Sequence, residues 1–198
     1  MRTDRTMLIL AAVLALTPRL PAQEAPSLQQ LIYNPGRLKP VDSRLRVRVG
    51  ERAPDFTLRA VKGGSVSLTH FRGKKNVLLS FVPAAFTPVC SAQWPGYHLV
   101  KDLFDQHDTA LLGITTDNLP TLHAWTQEMG GVWFDVLSDF YPHGRVAARY
   151  GVLRSDGTAE RALILVDKRG LIRWIDVHDI NERPPLEELA AQLGKLPK

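Results

Sequence analysis

Asn76-Val77-Leu78-Leu79-Ser80-Phe81-Val82-Pro83-Ala84-Ala85-Phe86-Thr87-Pro88-Val89-Cys90 is the stretch on which the fold turns. Its first seven residues form a mostly apolar run bounded by turn signals, the pattern of a central strand buried on both faces. Pro83 ends that strand, because proline cannot donate to a sheet ladder. The segment that follows, Ser91 to Gln106, has helical length and sets Leu99, Leu103 and Phe104 on one buried face. Working outward, Ala110 to Thr115 reads as the next strand, and Pro120 to Met129 as a helix stopped by Gly130-Gly131. A strand over Val132 to Leu137 and a short helix over Gly144 to Tyr150 follow. A hairpin then joins Arg161–Asp167 to Leu171–Val177 through Lys168-Arg169-Gly170, and a helix covers Pro185 to Leu193. Upstream, Phe56 to Leu58 and Ser65 to Leu68 flank Lys62-Gly63-Gly64 as an N-terminal β-hairpin, with one helical turn over Thr69 to Arg72. Strands alternating with helices and closing on a hairpin and a helix predict an α/β domain: a mixed central sheet flanked by helices.

The 198 residues, 44% hydrophobic and 23% charged, suit one compact domain with terminal additions. A formal charge of +5 and a pI near 9.6 raise the question of nucleic acid, but acidic and basic residues are interleaved without a block of like charge. No nucleic-acid partner is expected. Arg44, Arg46 and Arg48 alternate with Leu45, Val47 and Val49, as on the solvated face of a strand. Arg2 and Arg5 precede an apolar run from Met7 to Leu16, and Pro18, Pro21 and Ala22 follow, so residues 1–22 read as a signal peptide. Export to a periplasmic or extracellular space is the expectation, and its alternative is a cytoplasmic protein whose N-terminus forms an amphipathic or buried helix. The run is too short to span a bilayer, so no stable membrane insertion is expected. Cleavage after Ala22 would take the net charge from +5 to +3. Residues 23–45 are proline-rich and weakly periodic, an N-terminal extension with one short helix near Ser27 to Tyr33, and the folded domain is placed at 46–198.

Cys90 is the only cysteine. A single thiol cannot staple its own chain, so it is an inert buried residue, an intermolecular partner or a reactive group. Its setting favours reactivity. The first backbone amides of a helix point outward without partners, and together with the helix dipole they favour a thiolate over a thiol. Thr87, three residues earlier, is spaced to return its hydroxyl to the sulfur or to an incoming oxidant. Pro83 and Pro88 stiffen the loop on either side.

The spacing of Pro83, Thr87 and Cys90 resembles the active-site signature of the peroxiredoxins, the AhpC/TSA superfamily on the thioredoxin-like fold. The resemblance extends to Val49-Gly50-Glu51-Arg52-Ala53-Pro54-Asp55-Phe56, to Leu137-Ser138-Asp139, to Tyr150-Gly151-Val152 and to Arg161-Ala162-Leu163-Ile164-Leu165-Val166-Asp167, in the family's order and over roughly residues 46 to 180. It implies a peroxidase in which the Cys90 thiolate attacks the O–O bond of hydrogen peroxide or an organic hydroperoxide. Pro83 would shield the sulfur, Thr87 would bind the peroxide and Arg161 would match the family's active-site arginine. Elementary electrostatics agrees on Arg161, since an arginine opening an apolar run needs an anionic partner unless it reaches solvent. The product on sulfur would be a sulfenic acid, and no cofactor is needed. Some relatives carry a resolving cysteine five residues on, where this chain has Pro95, so the resemblance is to one-cysteine members such as the bacterioferritin-comigratory group. The reductant must be an outside thiol, either a thioredoxin-like protein or a low-molecular-weight thiol. Position 93, often glutamate in relatives, is Gln93, and pairing of two copies as a homodimer is common among them.

The same residues bear on other functions. The six histidines have no metal-ligand spacing, so no metal is expected. Cys90-Ser91-Ala92-Gln93 lacks the second cysteine of a dithiol oxidoreductase. A Cys-His hydrolase has no local signature here. A non-enzymatic thiol-based sensor or adaptor on the same fold remains the alternative to a peroxidase. Trp94, Trp125, Trp133 and Trp174 are expected in the core or at its rim.

Overall fold

The computed structural model describes residues 26–196. The expected signal peptide, residues 1–22, lies outside them. A short helix α1 (Leu28–Leu31) precedes the hairpin β1 (Thr57–Ala60) and β2 (Ser65–Ser67), a 3-10 turn over Leu68–Phe71 and the central strand β3 (Asn76–Phe81). Then come α2 (Pro88–Gly96), a second 3-10 turn over Tyr97–Val100, α3 (Lys101–Gln106), β4 (Thr109–Thr115), α4 (Leu119–Glu128), β5 (Asp135–Ser138) and α5 (Arg145–Tyr150). The hairpin β6 (Ala162–Val166) and β7 (Ile172–Val177) and the helix α6 (Leu186–Leu193) complete the described chain. No helix among the described residues is long and apolar enough to cross a membrane.

The seven strands form one mixed sheet in the order β2-β1-β5-β4-β3-β6-β7. β3, β4 and β5 run parallel, and β6 returns antiparallel to β3. Every residue of β3 is buried, as its unbroken apolar run requires. Because strand side chains alternate, Val77, Leu79 and Phe81 pack on one face with Val146, Ala147 and Tyr150 of α5. Leu78 and Val82 face the other side with Trp94 of α2, Trp125 of α4 and Leu189 of α6. The register then fixes the chemistry. Phe81 pairs with Ala162, so the residue before β6, Arg161, lies beside the loop that leaves β3.

Several local expectations are corrected. The helix expected over Ser91 to Gln106 begins earlier, at Pro88, and is interrupted by Pro95, which removes one amide donor and yields the 3-10 turn before α3. Leu99 falls in that turn and is 83% exposed rather than buried, whereas Phe104 is fully buried. The strand expected from Val132 starts only at Asp135, because Val132 to Phe134 approach the sheet as irregular chain. Residues 44 to 49 are not a strand. Val47 alone of its three apolar residues is buried, with Leu45 and Val49 exposed.

Two glycines permit close approaches that position the site. A Cβ on Gly113 of β4 would lie 2.7 Å from the Trp94 ring, so the missing side chain lets α2 settle onto the sheet. Gly151, at φ +76°, ends α5 where a Cβ would strike the backbone of Arg44 to Arg46. That gap admits the incoming N-terminal chain, whose Arg46 amide donates to the Tyr150 carbonyl at 3.1 Å. Gly113→Ala is expected to overpack the α2 contact and cost about 1–3 kcal/mol, measured as a lower midpoint in urea unfolding.

Candidate active site

The loop from β3 to α2 is shaped by backbone constraints. Pro83 ends the strand, Ala85 donates its amide to Asp117 Oδ2 at 2.8 Å, and Phe86 holds the left-handed φ of 55°. Such a conformation costs a non-glycine residue about 1–3 kcal/mol and persists only where neighbours enforce it. Asp117 is itself held by the Thr115 hydroxyl at 2.5 Å. Thr87 is the N-cap of α2 and Pro88 its first residue, a position where the lost amide costs nothing. Cys90 is therefore the third residue of the helix, and the amides of Val89 and Cys90 belong to the turn that lacks intrahelical acceptors.

Cys90 is fully buried, and Arg161 is only 1% exposed. The Arg161 Nη2 donates to Cys90 Sγ at 3.5 Å and to the Ile180 carbonyl at 3.0 Å, while Nε donates to the same carbonyl at 3.2 Å. Its Nη1 donates to Gln93 Oε1 in a very short hydrogen bond. No carboxylate pairs with this guanidinium among the described residues, so its full charge faces a neutral amide, a carbonyl and the sulfur. An anion is the missing complement, and Cys90 is the ionisable group in contact with it.

A chain of buried polar groups behind Gln93 was not foreseen from the sequence. Gln93 Nε2 donates to the Tyr97 hydroxyl at 2.8 Å, Tyr97 and Ser80 share a hydrogen bond at 3.2 Å, and Trp94 Nε1 donates to Ser80 at 3.3 Å. The glutamine is thereby fixed with its oxygen toward the arginine. Burial pushes the Tyr97 hydroxyl above its ordinary range, so it stays a neutral donor and acceptor. The spacing of four between Gln93 and Tyr97 was a readable clue to shared position.

The Thr87 hydroxyl does not meet the sulfur, one of the two partners expected for it. It donates instead to the Ala84 carbonyl at 2.9 Å, which leaves the oxygen lone pairs free to accept. Pro83, Thr87, Pro88, Val89 and Arg161 form the floor of a cavity of about 620 Å³, and Cys90 lies beneath that floor. The N-terminal extension at Tyr33 to Leu38 also lines the cavity. That extension is bonded to the domain. The Tyr33 amide donates to the Phe86 carbonyl at 2.8 Å, and the Leu38 amide to Asn181 Oδ1 at 2.8 Å.

A buried ion pair secures the next residues. Arg154 Nη1 meets Glu160 Oε2 at 2.6 Å, Arg154 also donates to the Lys39 carbonyl, and Glu160 accepts the Asp42 amide. Asp42 continues the clip through Lys39 and Ser155, which hold its carboxyl well below the ordinary 3.8. The groups expected to form the site are thus together at one sheet end, and segments far apart in sequence support them.

Residues 49–175 match the model of the AhpC/TSA family. The chain is 39% identical over 137 residues to alkyl hydroperoxide reductase E of Mycobacterium tuberculosis, covering 69% of this chain and 89% of that one. It is 32% identical over 146 residues to the chloroplastic 2-cysteine peroxiredoxin of Chattonella marina var. antiqua, covering 69% and 74%. Among solved structures, the reduced 2-Cys peroxiredoxin of Plasmodium vivax superposes with a TM-score of 0.70 at 31% identity, covering 75% of this chain and 81% of that one.

A carboxylate depressed on folding contributes stability that is present above its ordinary value and lost as pH falls through and below it. Asp42 is such a group, so the clip on residues 39–42 should weaken below about pH 4. Hydrogen exchange at the Leu38 and Asp42 amides, corrected for intrinsic rates, should accelerate there before the β3 amides do.

Proposed function

The chain belongs to the AhpC/TSA family and is a peroxiredoxin, a thiol-dependent peroxidase on the thioredoxin-like fold, and from this premise we propose that Cys90 is its peroxidatic nucleophile. The observation that carries the assignment is the contact between Cys90 Sγ and the buried guanidinium of Arg161. The Cys90 thiolate attacks one oxygen of a hydroperoxide, a sulfur–oxygen bond forms, and the O–O bond breaks with its electron pair on the departing oxygen. That oxygen takes a proton and leaves as water or an alcohol. Sulfur is oxidised to a sulfenic acid and the peroxide is reduced.

Donors fixed before the reaction stabilise negative charge as it moves from sulfur to the leaving oxygen. Arg161 and the amides of Val89 and Cys90 supply them, Thr87 accepts a hydrogen bond from the hydroperoxide O–H, and Pro83 shields the sulfur. Gln93 positions Arg161 without neutralising it. The relatives bearing the names alkyl hydroperoxide reductase and peroxiredoxin support an enzyme over a non-enzymatic sensor or adaptor.

With no second cysteine in the chain, the sulfenic acid is resolved from outside. A small thiol or a thioredoxin-like protein condenses with it, releasing water and leaving a mixed disulfide that a second thiol reduces. We also propose that residues 1–22 direct export and are removed, on the strength of Arg2 and Arg5 ahead of the Met7 to Leu16 run. The native protein should then lack the mass of those residues, and a full-length cytoplasmic product would refute export. Pairing as a homodimer completes the reading and rests on the family resemblance alone.

Cys90→Ser is expected to abolish peroxide turnover and sulfenic-acid labelling. Arg161→Ala and Thr87→Val should retain the label but slow its appearance, by about 10²–10³-fold for the arginine if it acts as a preorganised donor. Peroxide consumption by the serine variant at the native rate would overturn the assignment.

A further inference from the structure

The cavity above Cys90 is far larger than hydrogen peroxide requires. Its volume of about 620 Å³ falls within the range of pockets that bury a medium-sized organic molecule. The composition of its walls is equally informative. Tyr33, Pro35 and Leu38 line it together with Ala84, Val89 and Ile180.

Three of the polar side chains lining it, those of Asn34, Thr158 and Asn181, are already engaged. Asn34 Oδ1 accepts the Gly36 amide at 2.9 Å, Thr158 donates to Asp156 at 2.7 Å, and Asn181 bonds both the Leu38 backbone and Asp179. Arg37 and Asp156, of opposite charge, are both accessible to solvent. A ligand is thus offered apolar surface inside, with no net charge preference from these two residues.

The wall over Tyr33 to Leu38 lies outside residues 49–175, the part of the chain that matches the family model. It is also tied to the reacting groups. Asn181, which clamps Leu38, adjoins Ile180, whose carbonyl receives Arg161 and whose amide donates to the Pro40 carbonyl at 3.1 Å.

We infer that residues 33–38 build a subsite for the organic group of a bulky apolar hydroperoxide, alkyl or aryl, and select such substrates over hydrogen peroxide. The inference rests on the peroxidase reading of Cys90. The O–O bond is presented to the floor at Thr87 and Arg161 while the hydrocarbon fills the space under Tyr33 and Leu38. Apolar burial then contributes to capture of the bulky substrate and contributes nothing for hydrogen peroxide.

The test is the second-order rate constant for Cys90 oxidation in the full chain, with cumene hydroperoxide and hydrogen peroxide as probes. Tyr33→Ala combined with Leu38→Ser removes apolar wall at positions that are not in the buried core. Leu38→Trp instead narrows the cavity. Both variants should lower the cumene-to-hydrogen-peroxide ratio, by about tenfold if one large side-chain contact is lost. Equal loss on both peroxides, an unchanged ratio, or a ratio that rises would each overturn the subsite. A wild-type chain that fails to oxidise at Cys90 with either peroxide would instead sink the peroxidase reading itself.

Discussion

A guanidinium only 1% exposed, with no carboxylate paired to it among the described residues, is the constraint around which this molecule is arranged. Burying a cation is expensive unless partners compensate it. Arg161 receives a carbonyl, an amide oxygen and a sulfur, none of which brings a permanent negative charge. The sulfur alone of these can acquire one. The same arrangement serves the reaction, since charge that leaves the sulfur passes to an oxygen within reach of the same donors. A glutamate at position 93 would compensate the arginine permanently and spend part of that potential.

The rest of the fold can be followed outward from this contact. The β3–β6 register brings Arg161 beside the loop after Phe81. Gly113 lets α2 lie close to the sheet, which sets the depth of Cys90, and the strained backbone at Phe86 sets its direction. The 179–182 turn holds the arginine through Ile180 and the N-terminal extension through Asn181. The Arg154–Glu160 pair, fully buried on the glutamate side, fastens the same extension one residue before Arg161. Losing either member would strand its partner's charge, at a cost of about 3–5 kcal/mol for a buried pair. Chain that looks peripheral in the sequence is therefore mechanically joined to the reacting groups.

Much of this was legible beforehand, for identifiable reasons. The apolar run of β3, the glycine-turned hairpins and the strand–helix alternation depend on local pattern, and they appear with boundaries shifted by a few residues. Pro83, Thr87 and Cys90 lie within one short loop, so their proximity follows from chain connectivity. Arg161 came from the cost of burying a charge, joined to family resemblance. Other features depended on distant partners that periodicity does not encode. Pro95 broke the helix that the apolar spacing suggested, and Leu99 consequently turned to solvent. The Thr87 hydroxyl chose the Ala84 carbonyl because the tight loop presents that acceptor. The proline-rich stretch before residue 45 is only weakly periodic, yet its backbone groups find partners across more than a hundred residues.

The most direct test of the account is intact-protein and peptide mass spectrometry of the fully reduced chain after mixing with an equimolar amount of hydroperoxide. The account predicts that one oxygen atom is added, on Cys90, as the peroxide disappears, and that a small external thiol removes it and restores the starting mass. Peroxide consumed while Cys90 keeps its reduced mass, or oxygen added first at methionine or tryptophan, would contradict it.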